Sequence, residues 1–371
     1  MENKKIRYAV VGLGNIAQVA VLPGFKNATS NSELVALVSG DDRKLKTLGK
    51  KYKVKNLYNY RDYDKCLQSG LIDAVYIATP NVNHRAFAEE AARNGIHVLT
   101  EKPMAVNIHD CISMLRTAKE NDIKLMVGYR LHFDPANLAA VEIAQSGKLG
   151  DLRIFNSTFS FQVTDPENIR LRYDMGGGPL FDIGIYCINA ARYLFQDEPV
   201  EVFATALSNP HDSRFTEVEE MASVTLRFRK ARLANFIISF GAEESAAYDL
   251  IGTKGRLRLE NAYEYADDMT LRTTINEKET VKHFKKHDQF GPELEYFSNC
   301  ILNNQEPEPS ALEGLYDVRI IDAIFESARS KRAVKIEHAR KVTRPSREQE
   351  IRKPGHEKPE TINAASPHDG E

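Results

Sequence analysis

No stretch of the 371-residue chain stays apolar for long; a membrane-crossing helix needs roughly 18 such residues, so no membrane partner is expected. Cysteines are few and scattered. Cys66, Cys111, Cys187 and Cys300 show no CxxC spacing, which excludes a disulfide framework or a cysteine zinc site and points to a reducing compartment, the cytoplasm. Charge of one sign is also missing. The formal net charge of -2 offers no general attraction to nucleic acid or anionic lipid. Lys50, Lys51, Lys53 and Lys55 read as one solvated helix end. His97, His109 and His132 stand singly, so no metal site is expected. The polar start Met1–Lys5 passes directly into Ile6–Val11, without the apolar region of a signal peptide. No internal repeat is visible.

What is present is an ordinary globular composition, 42% hydrophobic and 27% charged, over a length that suits two domains because single cores rarely exceed about 250–300 residues. Up to about residue 130, short apolar runs (Ile6–Val11, Leu34–Val38, Ala74–Ala78, His97–Leu99, Lys124–Val127) alternate with helically spaced stretches (Ile16–Lys26, Arg43–Tyr52, His84–Asn94, Ile108–Asn121). Continuous apolar strands separated by helices predict an α/β fold, with a doubly wound parallel sheet in an N-terminal Rossmann domain over 1–130. Beyond about 150 the pattern alternates residue by residue in Leu152–Val163, Val200–Ser208, Glu219–Phe228, Leu233–Phe240 and Arg256–Glu260. Such strands predict a second, α+β domain over 131–339 with an open, mostly antiparallel sheet. Helices are expected at Gly184–Leu194, Pro292–Asn303 and Glu313–Ser330. The Pro-, Lys- and Glu-rich stretch 340–371 is expected to be a disordered tail.

Four motifs carry chemistry. Gly12-Leu13-Gly14-Asn15-Ile16-Ala17 fits G-x-G-x-x-G/A between a strand and a helix. The first glycine permits a tight turn, Gly14 lets the backbone approach a pyrophosphate, and Asn15 and Ile16 open the helix whose N-terminus attracts it. Outside that context the same glycines would be only a turn. The second strand ends in Ser39-Gly40-Asp41-Asp42-Arg43-Lys44, where an NAD site places an acidic residue for the ribose. Ser39, Gly40 and the Lys44 cation suit the 2′-phosphate of NADP. Asp41 could instead serve an NAD ribose, or Asp41 or Asp42 could cap the next helix. Glu101-Lys102-Pro103 follows the fifth strand, at the edge where such sheets bind ligands. Desolvation beside a cationic ring would depress the Lys102 ammonium toward neutrality and suit it to proton work, whereas an isolated Glu–Lys pair in a loop is surface charge. Asp182 and Tyr186 are four residues apart after Gly176-Gly177-Gly178, on one face of a helix. There they could orient a substrate and relay its proton, or serve as an N-cap and a core aromatic.

Taken together, Gly12–Ala17, Val38-Ser39-Gly40, Ala78-Thr79-Pro80-Asn81 with His84, Glu101–Met104, Gly128–Pro135, Arg170-Leu171-Arg172 and Gly176–Leu194 resemble the Gfo/Idh/MocA oxidoreductase family. Tyr186, where many relatives have His, resembles its glucose–fructose and aldose–aldose oxidoreductase branch. The likeness runs from about Ile6 to about Val334. It implies metal-free hydride transfer between a nicotinamide and a sugar or polyol carbon, and a homodimer or homotetramer formed through the C-terminal sheet. By resemblance, Lys102 holds the reacting oxygen, Tyr186 is the general base or acid, and Asp182 holds the sugar. Ser39, Gly40 and Lys44 would meet the 2′-phosphate, while Thr79, Asn81, His84, Glu101, Lys102 and Tyr129 or Arg130 would line the cofactor. Arg170 and Arg172 would lie over it. NADP is the expected cofactor, with NAD the lesser alternative. The expected reaction converts an aldose to its lactone, with a retained cofactor then reducing a second sugar. The competing readings are a cofactor-releasing dehydrogenase of an inositol, sugar or cyclic diol, and a non-catalytic sugar or redox sensor.

Overall fold

The structure, a computed structural model, describes residues 4–337 and 343–366. They form two compact units. One takes in the chain through Arg130 and adds His287–Leu315 and Arg352–Ser366; the other takes in Leu131–Lys286 and Tyr316–Ile351.

The first unit is built on six parallel strands: β1 (Ile6–Val11), β2 (Ser32–Val38), β3 (Asn56–Tyr58), β4 (Ala74–Ile77), β5 (His97–Glu101) and β6 (Leu125–Gly128). Their order is β3-β2-β1-β4-β5-β6, the doubly wound Rossmann arrangement. Val10 and Val11 of β1 and every residue of β4 are buried, as continuous apolar strands covered on both faces must be. The three-residue β3 is too short to produce a periodic signal. The helix Phe290–Leu302, expected with the C-terminal domain, belongs to this unit. Its Ser298 hydroxyl shares hydrogen bonds of 2.8 Å with both Tyr8 and Ser32, and Asn31 donates to the Glu295 carbonyl at 2.8 Å.

In the second unit, nine strands form one sheet: β7 (Leu152–Ser160), β8 (Pro199–Leu207), β9 (Met221–Phe228), β10 (Arg232–Ser239), β11 (Ser245–Gly252), β12 (Gly255–Glu260), β13 (Met269–Ile275), β14 (Lys278–Phe284) and β16 (Val334–Lys335); β15 (His287–Asp288) belongs to the first unit. The order is β14-β13-β12-β11-β7-β10-β9-β8-β16. Only the central β7–β10 pair is parallel. One face is packed and the other open, so β9 and β10 bury alternate residues such as Ala222, Val224, Leu226, Ala234 and Phe236.

The expectation of a disordered tail needs correction over 343–366. In the second unit, a capped turn at Arg347–Gln349 sends the Arg347 guanidinium to the Pro135 carbonyl at 3.0 Å. In the first unit, β17 (Lys353–Pro354) pairs antiparallel with β15, and Lys353 meets Glu295 at 2.6 Å. The segment lacks a core of its own, which is what its composition recorded. Backbone hydrogen bonds and ion pairs to other elements hold it instead. Residues 340–342 and 367–371 of that expected tail lie outside the described residues.

Candidate functional site

The turn after β1 shows why its glycines are needed. Gly12 has φ +92°, and a Cβ there would stand 2.5 Å from the Ala78 carbonyl oxygen. Beyond it, no described atom comes within 4 Å of where a Gly14 Cβ would stand, its chain neighbours aside. Helical backbone begins at Asn15 and Ile16, so the free N–H groups of that terminus open on the space beside Gly14. At the neighbouring carboxyl end of β4, the Thr79 hydroxyl is buried without a hydrogen-bond partner, and Asn81 begins the next turn. An open helix start, a turn that accepts no Cβ and an orphaned hydroxyl at this sheet edge fit a dinucleotide. Gly12→Ala should strain the turn by about 1–3 kcal/mol. That predicts dinucleotide binding weakened roughly tenfold to a hundredfold, measurable by calorimetric titration.

At the end of β2, Ser39 is buried and Gly40 exposed, with the Tyr60 ring 3.1 Å from where a Gly40 Cβ would stand. Asp41 caps the helix Asp42–Tyr52, one carboxylate oxygen accepting from the Arg43 and Lys44 N–H groups at 2.8 and 3.0 Å. Its other oxygen accepts from Asn363 at 3.0 Å. These hydrogen bonds hold the Asp41 carboxyl below its ordinary range. Lys44 is half-buried, and desolvation lowers its pKa.

The loop after β5 presents Lys102 half-buried between buried Glu101 and Pro103. His84, expected along the cofactor, is fully buried. Its ring nitrogens lie 2.8 Å from the Pro103 carbonyl and 3.0 Å from the Thr79 carbonyl, so it ties the Lys102 loop to the end of β4. Glu101 is also turned inward. The Tyr76 hydroxyl donates to it at 2.8 Å and lies 3.4 Å from a Glu293 carboxylate oxygen. Burial pushes both carboxyls up, Glu293 further because Glu101 repels it, while Lys102 and Arg130 oppose the rise at Glu101. Arg130, buried, donates to Gln289 and lies against the Phe290 ring, and Tyr129 beside it is buried too. His84 thus braces the Lys102 loop, while Glu101 and Arg130 each engage other side chains of the same unit.

In the second unit, Asp182 lies in a π-helical turn, Leu180–Gly184, that runs into the α-helix Ile185–Phe195 carrying Tyr186. Wide turns of this kind recur at functional sites. Both side chains are partly exposed. Arg170 donates to Asp182 at 2.7 Å, and Gly178 N–H donates to the Arg170 carbonyl at 2.8 Å, so the Gly176–Gly178 turn fixes the arginine that holds the carboxylate. Arg172 is exposed and pairs with Asp174 at 2.8 Å. The Tyr186 ring packs edge-on against Phe159, centroids 5.7 Å apart, and tilted to Tyr263 at 5.9 Å. Sequence reasoning missed Glu219. One of its carboxyl oxygens is buried and unpartnered beside Gly178, and burial raises its pKa. It also missed Tyr76 and Glu293. Tyr76 reads locally as one more apolar strand residue, and Glu293 as a helix-start carboxylate.

Two family models match this chain. Residues 6–129 match an oxidoreductase family with an NAD-binding Rossmann fold, and residues 137–258 match a GFO/IDH/MocA C-terminal domain. The chain is 30% identical over 340 residues to an NADP⁺ D-xylose 1-dehydrogenase of Haloarcula marismortui, covering 90% of this chain and 93% of that one. A second such enzyme, from Haloferax volcanii, is 28% identical and covers 89% and 99%. Among solved structures, an aldose–aldose oxidoreductase of Caulobacter crescentus complexed with glycerol superposes with a TM-score of 0.86 at 37% identity, over 90% of this chain and all of that one.

Proposed function

The chain belongs to the Gfo/Idh/MocA oxidoreductase family, and from that premise we propose that it is an NADP-dependent oxidoreductase of aldoses, converting the anomeric CH–OH to a lactone. The observation that carries this is Lys102, presented half-buried at the carboxyl end of β5 in a dinucleotide-binding sheet. The likeness to enzymes named for D-xylose and for aldoses directs the substrate class. NADP is favoured because both carboxylate oxygens of Asp41 are engaged within the protein, while the Lys44 cation beside Ser39 and Gly40 suits a 2′-phosphate.

Ser39, Gly40 and Lys44 would hold the adenosine end of the cofactor, the Gly12–Ile16 turn its pyrophosphate, and Thr79 and Asn81 the remainder. When bound, the nicotinamide supplies the hydride acceptor. Lys102 donates a hydrogen bond to the reacting oxygen, holding it and stabilising negative charge as it develops there. Tyr186 relays the hydroxyl proton, accepting it at Oη as it releases its own to solvent. Asp182, fixed by Arg170, accepts from a neighbouring sugar hydroxyl and so sets orientation. The open face of the second sheet, with Ile154, Phe203, Leu233 and Ile237 exposed, suits self-association into a dimer or tetramer. Among the described residues, no helix is long and apolar enough to cross a membrane.

The first test is to denature the purified protein and identify any dinucleotide released. Stoichiometric NADP(H) is expected, followed by lactone formation from D-xylose or D-glucose and reduction of a second aldose without added cofactor. Protein that carries no dinucleotide and turns over aldoses only with added cofactor would leave a cofactor-releasing dehydrogenase. Failure to bind either NADP or NAD would overturn the enzymatic proposal.

A further inference from the structure

Gln18, one helical turn beyond Gly14, is 1% exposed, so its amide must be satisfied inside the protein. Its NH₂ group donates to the carbonyls of Leu13 and Ile362, each at 2.9 Å. Its carbonyl accepts from the Ile362 N–H at 2.8 Å. The side chain therefore pairs with the Ile362 backbone as a neighbouring strand would, across 344 residues of sequence. The next residue, Asn363, has φ +47°, a left-handed conformation that asparagine tolerates better than most residues. Thr361 closes the turn by donating to the Ala364 carbonyl at 3.3 Å. Asn363 in turn donates to Asp41 at the end of β2 at 3.0 Å.

The two anchors flank one ligand position. In a Rossmann sheet the pyrophosphate lies at the glycine turn before Gln18, and the adenosine ribose at the end of β2 beside Asp41. We propose that residues 361–366 are part of the dinucleotide site: a strap fastened at Gln18 and Asp41 that closes over the adenosine half of the cofactor and slows its release. This inference rests on the proposed dinucleotide-dependent chemistry. It supplies a physical reason for a cofactor to stay bound while two sugars exchange. By engaging Asp41, the strap also keeps that carboxylate from the ribose hydroxyl that an NAD site would need it for.

The test is the rate at which bound NADPH leaves, read from its fluorescence after mixing the loaded protein with excess NADP⁺. Two variants are compared with wild type: Asn363→Asp, which keeps a residue tolerant of the left-handed turn but sets a carboxylate against Asp41, and a chain ending at Glu360. Loss of one hydrogen bond in Asn363→Asp predicts release faster by roughly twofold to tenfold, and loss of three in the shortened chain by roughly tenfold or more. Hydrogen exchange of the Ile362 amide in the full-length chains is the second readout. It should be protected in wild type and faster in Asn363→Asp. Equal release rates in all three proteins would overturn the strap while leaving the dinucleotide reading intact. Wild-type protein that takes up no NADPH would overturn both.

Discussion

Lys102→Met is expected to lower kcat by about 10²–10⁴-fold while leaving NADPH binding within a fewfold of wild type. Methionine matches the length of the lysine stem but cannot donate to the reacting oxygen. The surrounding frame should hold, because the loop is tied by His84 through the Pro103 and Thr79 carbonyls and by Glu101 through Tyr76. One electrostatic consequence is expected next door. The Lys102 charge opposes the burial-driven rise of the Glu101 pKa, so its removal should strengthen proton retention by the Glu101–Glu293 pair. Tyr186→Phe is the companion experiment. Its ring contacts with Phe159 and Tyr263 survive, since only the oxygen is lost. A fall in kcat of similar order is expected. Steady-state kinetics with an aldose, alongside NADPH titration, separates the roles. Turnover within threefold of wild type in either variant would remove that residue from the chemistry.

Arg192→Met should destabilise the second unit strongly, by about 3–5 kcal/mol. The side chains of Arg192 and Asp317 are both fully buried and form an ion pair. Arg192 also reaches Glu198 through two hydrogen bonds, at 2.8 and 3.1 Å, and Arg344 joins Glu198 from the C-terminal segment. Asn189 donates to Asp317 at 2.9 Å and meets His132 at 2.7 Å. Methionine would fill much of the space but leave the Asp317 carboxylate buried without its cation, and an uncompensated buried charge costs far more than the pair itself contributes. A urea midpoint followed by circular dichroism should fall accordingly. Adding Asp317→Leu to Arg192→Met should recover part of the loss by removing the stranded charge. A single-variant cost below about 1 kcal/mol, the range of exposed pairs, would show that the charges are solvated after all.

Legibility in the sequence followed the range of the forces involved. The parallel strands of the first unit were readable because burial on both faces leaves continuous apolar runs, as in Val10–Val11 and Ala74–Ile77. The helix Pro135–Gln145 went unread because it is buried nearly all round and shows no polar stripe. Strands β11, β13 and β14 also went unread: β14 is exposed along almost its whole length, so hydrophobic alternation could not mark it. Asp41 as a helix cap, one of the alternatives left open, is what the structure displays.

By itself, then, the sequence determined what short-range chemistry decides. It set a glycine turn that admits no Cβ between strand and helix, the helix cap at Asp41, Lys102 at a strand's carboxyl end, and Asp182 one helical turn before Tyr186. Only the tertiary structure decided which distant groups complete them. Tyr76 meets Glu293 across 217 residues, and Gln18 meets Ile362 across 344. Neither pairing leaves a local period or spacing. Each is selected because a buried polar group must find a partner, and which partner lies within reach is settled only when the whole chain has packed.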